Sequence, residues 1–165
     1  MVQNVEFENG HLDTRAMKFA DLSVGRVIRC GPASLSESAI IDFALAYDPQ
    51  WFHADPERAA QGVWKGLIAS GWQTCSVAMR LAVDGILTGS ESFGSPGLAY
   101  VKWKNPVRPG DELWLTVEVL ENRVAQSNVT LGIVRWRWQL ANQRNETVLD
   151  LEATSLFDLA VKVPA

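Results

Sequence analysis

Asp48 and His53 stand five residues apart within Tyr47 to Gly71, a stretch whose aspartates and prolines interrupt any continuous helix or strand. A carboxylate and an imidazole placed together can hold one water and move its protons. The same stretch ends in Ser70-Gly71, just before a long apolar segment with helical character. The first N–H groups of a helix lack intrahelical acceptors and favour negative charge, so a helix starting at Gly71 could receive a developing oxyanion. That combination suits chemistry beside a carbonyl group. Each residue also has a plain structural use, Asp48 as a turn or cap beside Pro49 and His53 as a buried ring bonded to a backbone carbonyl. The shared spacing, followed by a glycine-led helix, favours the chemical reading.

Several elements must position these residues. Ser34 followed three residues later by Glu37 reads as a capping box opening a helix that runs to about Tyr47. Ile40, Phe43, Ala44 and Tyr47 would be its buried face, and the helix delivers the chain to Asp48. Asp55-Pro56-Glu57 opens a short helix, with an Asx cap and proline at the first position, that Gly62 ends. From Trp72 to about Ile86 a long helix leaves little polar surface. Upstream, Arg26 to Cys30 reads as a strand stopped by Gly31-Pro32. Beyond a loop at 88–97 the period changes to two. Ala99, Val101 and Trp103 alternate with polar neighbours, as do Leu113 to Val119, Val134 to Leu140 and Leu149 to Phe157. Four half-buried antiparallel strands follow, with turns at Glu121-Asn122 and at Ala141 to Asn145. The order predicts an α+β domain whose antiparallel β-sheet packs on one main helix. Residues 1–20, which include His11, read as an N-terminal arm and 21–165 as a single domain.

The 165 residues can bury a core without disulfides or metals. A formal charge of -4, with no cluster of Lys and Arg, argues against nucleic acid and against an acidic membrane surface. Cys30 and Cys75 have no metal-ligand spacing and read as reduced, buried thiols, and no stretch has the length and apolarity of a membrane span. With no signal-peptide pattern at Met1 to Gly10, a cytoplasmic location is expected. Nucleophile-elbow, Walker and dinucleotide-binding motifs are absent, and two isolated histidines make no usual zinc site. Of seven tryptophans, Trp136 and Trp138 alternate on one strand face and read as core or interface.

Asp48-Pro49-Gln50-Trp51-Phe52-His53 resembles the D-x-N-P-x-H signature of the MaoC-like (R)-specific enoyl-CoA hydratases, a hot-dog-fold family. Gln50 stands where that motif usually has Asn, and Trp51 where it usually has Pro. The resemblance continues through Gly66 to Gly71, and through Asn105-Pro106-Val107-Arg108-Pro109-Gly110-Asp111, which is similar to the family's PVxPGD turn. It implies a hot-dog fold, with the sheet wrapped around the long central helix. It also implies hydro-lyase action, the reversible hydration of a trans-2-enoyl-CoA thioester to a (R)-3-hydroxyacyl-CoA. On this resemblance Asp48 and His53 are the acid/base pair, Gly71 the oxyanion donor and Gln50 an orienting residue. Trp51, Trp64 and Trp72 would shape an acyl pocket, while Lys102, Lys104 and Arg108 would meet CoA phosphates or simply lie solvated at strand ends. No cofactor is implied beyond the CoA of the substrate, and a homodimer or higher homo-oligomer is expected. Two other functions remain open at this point, an acyl-CoA thioesterase of the hot-dog class and a non-catalytic acyl-thioester-binding protein.

Overall fold

Apolar alternation builds the sheet. In the computed structural model, which describes residues 17–160 and the short strand Val5–Phe7, six antiparallel strands pair in one sheet. These are β1 (Val5–Phe7), β2 (Val27–Leu35), β3 (Ser92–Trp103), β4 (Glu112–Ala125), β5 (Asn128–Ala141) and β6 (Thr147–Asp158). Their spatial order is β1-β2-β4-β5-β6-β3. Leu113, Leu115, Val117 and Val119 of β4 are buried, as are Val134, Trp136, Trp138 and Leu140 of β5 and Leu149, Leu151, Ala153 and Phe157 of β6. These residues form one face of the core.

Among the described residues four α-helices lie between β2 and β3: α1 (Glu37–Tyr47), α2 (Trp51–Ala54), α3 (Pro56–Gln61) and α4 (Gly71–Ala82). α4 runs on through a single wide turn, Val83–Leu87, and sets Val77, Ala78, Leu81 and Ala82 against the inner face of the sheet, touching β2, β4 and β6. The outcome is the α+β arrangement expected, a hot-dog sheet on one long helix.

Local details differ from the expectation for identifiable reasons. β2 does not stop at Gly31-Pro32. Ala33 and Ser34 pair with Leu113 and Glu112 after a bulge that absorbs those two residues. Because the strand continues, Ser34 cannot cap α1; Ser36 does, its Oγ accepting from Ala39 N at 3.1 Å. Of the face expected for α1, Ile40 and Ala44 are buried, Phe43 is half-buried and Tyr47 is exposed. No turn occurs at Glu121-Asn122. β4 runs to Ala125 past a register shift between Val119 and Glu121, and the chain reverses at 126–127. The expected loop at 88–97 is already strand from Ser92, and β3, which among the described residues pairs only with β6, leaves Ala99 and Trp103 exposed. Within the stretch read as an arm, Val5–Phe7 adds a strand to β2, while His11 lies outside the described residues. Both cysteines are unpaired. Cys30 is buried, and burial pushes its thiol up to about 11; Cys75 is only half-buried.

Asn122 has a structural use that explains its polar character inside a strand. Its Nδ2 donates to the carbonyls of Phe19 at 2.9 Å and Leu22 at 2.7 Å, tying the entering chain to the sheet. Asn122→Ala leaves both carbonyls without that donor and is expected to cost about 1–3 kcal/mol. Urea unfolding checks this as a lowered midpoint at constant m; an unchanged midpoint refutes it.

Candidate functional site

The site is assembled around a buried run without regular structure, Leu67 to Ser70. Buried backbone outside a helix or sheet must find its partners elsewhere. Ile68 N donates to Phe52 O at 3.2 Å and Ala69 N to Val107 O at 2.8 Å. The Ile68 carbonyl lies 2.8 Å from His53 Nδ1, and since a carbonyl only accepts, that nitrogen carries the ring proton. In the neutral ring Nε2 is then the basic nitrogen. It faces Asp48 Oδ2 at 3.4 Å, with His53 only 5% exposed.

Asp48 closes α1, its N–H donating to Ala44 O at 2.8 Å. Two side chains hold its carboxylate. Gln50 Nε2 donates to Oδ1 at 2.8 Å and the fully buried Ser70 donates through Oγ to Oδ2 at 2.7 Å. These bonds, from Gln50 first and Ser70 second, hold the carboxyl below the usual carboxylate range, and the nearby His53 adds to the effect. Ser70 was legible in the sequence only as part of a helix start. Its hydroxyl accepts from Trp72 N at 3.3 Å as the cap of α4 while donating to Asp48. One side chain therefore joins the helix start to the pair.

Gly71 is the first residue of α4, where the N–H has no intrahelical acceptor. A Cβ there would lie 2.5 Å from the Trp103 ring, so no larger residue fits without moving the indole. Asp48, Gln50, His53, Gly71, Trp64 and Trp72 all border one cleft of about 370 Å³. Trp51 does not border it. Its ring packs on Gly62, where a Cβ would lie 2.5 Å away, and under the Arg58 guanidinium at 5.0 Å. Trp103 and Phe52 supply aromatic walls instead, and the sequence pattern on β3 marked Trp103 only as an alternating strand residue. Of the three cations considered, Lys104 borders the cleft, Lys102 lies over the Tyr100 ring at 4.8 Å, and Arg108 donates to the Trp64 carbonyl.

The lowered Asp48 titration has a definite sign. A carboxyl held below its unfolded value adds stability above the ordinary carboxylate range, and that stability is lost as pH falls through the lowered value. Ser70→Ala removes one of the two largest causes, so the Asp48 midpoint rises, the stability contributed above the carboxylate range shrinks, and its loss is complete at a higher pH. Carboxyl ¹³C shifts followed against pH report the midpoint directly; an unmoved midpoint refutes the role given to Ser70.

Known proteins share this chain's pattern. Residues 18–137 match the family model described as MaoC like domain. An uncharacterized protein of Bacillus subtilis, YdeM, is 31% identical over 141 residues, covering 86% of this chain and 99% of the relative. The crystal structure of a MaoC-like dehydratase from Rhodospirillum rubrum superposes with a TM-score of 0.78 at 35% identity, over 84% of this chain and 94% of that one. The unliganded R-hydratase PhaJ1 of Pseudomonas aeruginosa gives a TM-score of 0.70 at 25% identity, over 87% and 86%. Pattern, fold and these likenesses agree, and the chain belongs to the MaoC-like family of hydratases and dehydratases.

Proposed function

We propose that this protein reversibly hydrates a trans-2-enoyl-CoA thioester to the (R)-3-hydroxyacyl-CoA. The observation that carries the reading is the pairing of His53 Nε2 with Asp48 Oδ2 at 3.4 Å on the wall of a cleft that Gly71, the first residue of α4, also borders. Asp48 stays ionised at neutral pH and orients a water, which donates one hydrogen bond to the carboxylate and one to His53 Nε2. The water oxygen bonds to the β-carbon as its proton passes to Nε2. The alkene electron pair moves into the thioester, and the Gly71 N–H receives the enolate-like oxygen. Asp48 steadies the imidazolium, which returns its proton to the α-carbon. Water is added across the double bond and nothing else is consumed, so the chemistry needs no cofactor. Pair and substrate meet on one face, which makes the addition syn; the (R) configuration is taken from the R-hydratases this chain resembles. Trp64 and Trp72 would border the acyl group, and the unpaired Cys30 and Cys75 thiols support a reducing, cytoplasmic setting.

A second copy of the chain completes the assembly in this reading. β3 is an edge strand, and beside it Phe93, Leu98 and Met79 stay exposed around an apolar groove of about 520 Å³. Unpaired edges with apolar flanks are what strand-to-strand pairing covers.

A panel of trans-2-enoyl-CoA thioesters of increasing length tests the activity through loss of the conjugated-enoyl absorbance. Wild type is expected to hydrate at least one member, with Asp48→Asn and His53→Ala falling about a hundredfold or more. Release of free CoA instead would make the protein a thioesterase; binding without turnover would make it an acyl-thioester-binding module. For the assembly, light scattering is expected to give a dimer for wild type and a monomer for Leu98→Lys, and a monomeric wild type overturns the β3 pairing.

A further inference from the structure

We infer that Trp103 is a positioning residue for this reaction, restraining the backbone of Gly71 where it borders the cleft; the inference rests on the hydratase reading above. Gly71 is a weak place to put an oxyanion donor. It is the first residue of a helix, its N–H has no intrahelical bond to hold it, and glycine explores backbone conformations closed to other residues. Something must restrain both peptide units that meet at its Cα.

The preceding unit is held from within the helix, because the Ser70 carbonyl accepts from Thr74 N at 3.0 Å and from Thr74 Oγ1 at 3.2 Å. The following unit is held locally at its nitrogen, where Trp72 N donates to Ser70 Oγ at 3.3 Å, and at its carbonyl from across the fold. Trp103 Nε1, at the end of β3, donates to the Gly71 carbonyl at 2.9 Å. The same indole lies so close over Gly71 that three of its ring atoms fall 2.5–2.8 Å from where a Cβ would be. Trp72 braces the indole edge-on, with ring centroids 5.5 Å apart. Glycine is thus required at 71 because Trp103 occupies the space of a side chain, and Trp103 replaces the restraint that a side chain would have given. Trp103 acts on the reaction through Gly71.

Trp103→Phe keeps a ring over Gly71 and removes the N–H. On this inference kcat for the best enoyl thioester falls about tenfold, a fraction of what loss of a whole oxyanion donor costs. KM stays within about twofold, because the donor matters most to charge present only in the transition state. Melting temperature and the shape of the pH profile stay as in wild type. Gly71→Ala is expected to be strongly impaired in the wild-type background and to add little to Trp103→Ala, whose shortened side chain leaves room for the methyl. Independently of turnover, the ¹⁵N order parameter of Gly71 is expected to drop from a rigid value of about 0.85 in Trp103→Phe. An unchanged kcat with an unchanged order parameter overturns the inference, as does a loss of kcat that merely follows a lower melting temperature. Failure of wild type to hydrate any thioester, with the order parameter falling as expected, overturns the hydratase reading and leaves Trp103 as a brace of the helix start alone.

Discussion

The hydrogen bonds of the buried Leu67 to Ser70 run are the constraint on which the site depends. A chain that crosses the interior without helix or sheet carries polar groups that cost about 1–3 kcal/mol each if left unpaired. Here the partners come from three other parts of the fold. Phe52 and His53 bring in α2, Val107 brings in the turn after β3, and Ser70 reaches Asp48 at the end of α1. The three sequence motifs, Asp48 to His53, Gly66 to Gly71 and Asn105 to Asp111, thus meet because one irregular segment needs donors and acceptors from all of them. Site geometry and fold stability are one set of bonds.

The same bonds set the chemistry. Donation from His53 Nδ1 to the Ile68 carbonyl fixes the ring and leaves Nε2 toward the carboxylate. Donation from Gln50 and Ser70 keeps that carboxylate ionised. In the proposed hydration a protonated Asp48 would compete as an acid with the imidazolium, whereas an ionised one would orient water and balance charge. Two groups of ordinary type are thus set apart by their backbone, amide and hydroxyl partners, which is what the proposed division of tasks between them rests on.

Much of the fold was legible because burial here follows the period of each element. Leu113 to Val119 and Val134 to Leu140 alternate as read, and the Asp55 side chain caps α3 through Arg58 N at 3.0 Å ahead of Pro56. Long-range pairing hid the rest. Gly31-Pro32 looks like a stop until β4 is known to continue the ladder past it, and that continuation moves the α1 cap from Ser34 to Ser36. Asn122 looks like a turn residue until the carbonyls of Phe19 and Leu22 are placed beside it. In the candidate site, spacing within one stretch singles out Asp48, His53 and Gly71, and all three border one cleft. Trp103 is 32 residues from Gly71, and only the crossing of an edge strand over a helix start brings them together.

The two departures from the family signature have a physical account. Gln50 sits before the first residue of α2 in an extended conformation and makes no cap bond with its side chain. The amide is free to turn back, and the extra methylene relative to asparagine still lets Nε2 reach Asp48 Oδ1 at 2.8 Å. Trp51 forgoes the fixed φ of proline, but its indole is clamped between Gly62 and Arg58, with Phe52 edge-on at 5.4 Å. Packing against α3 thereby restrains a position that proline would restrain covalently. His53 follows two residues later on the same short helix, so the anchor at Trp51 serves the imidazole although the indole itself stays out of the cleft.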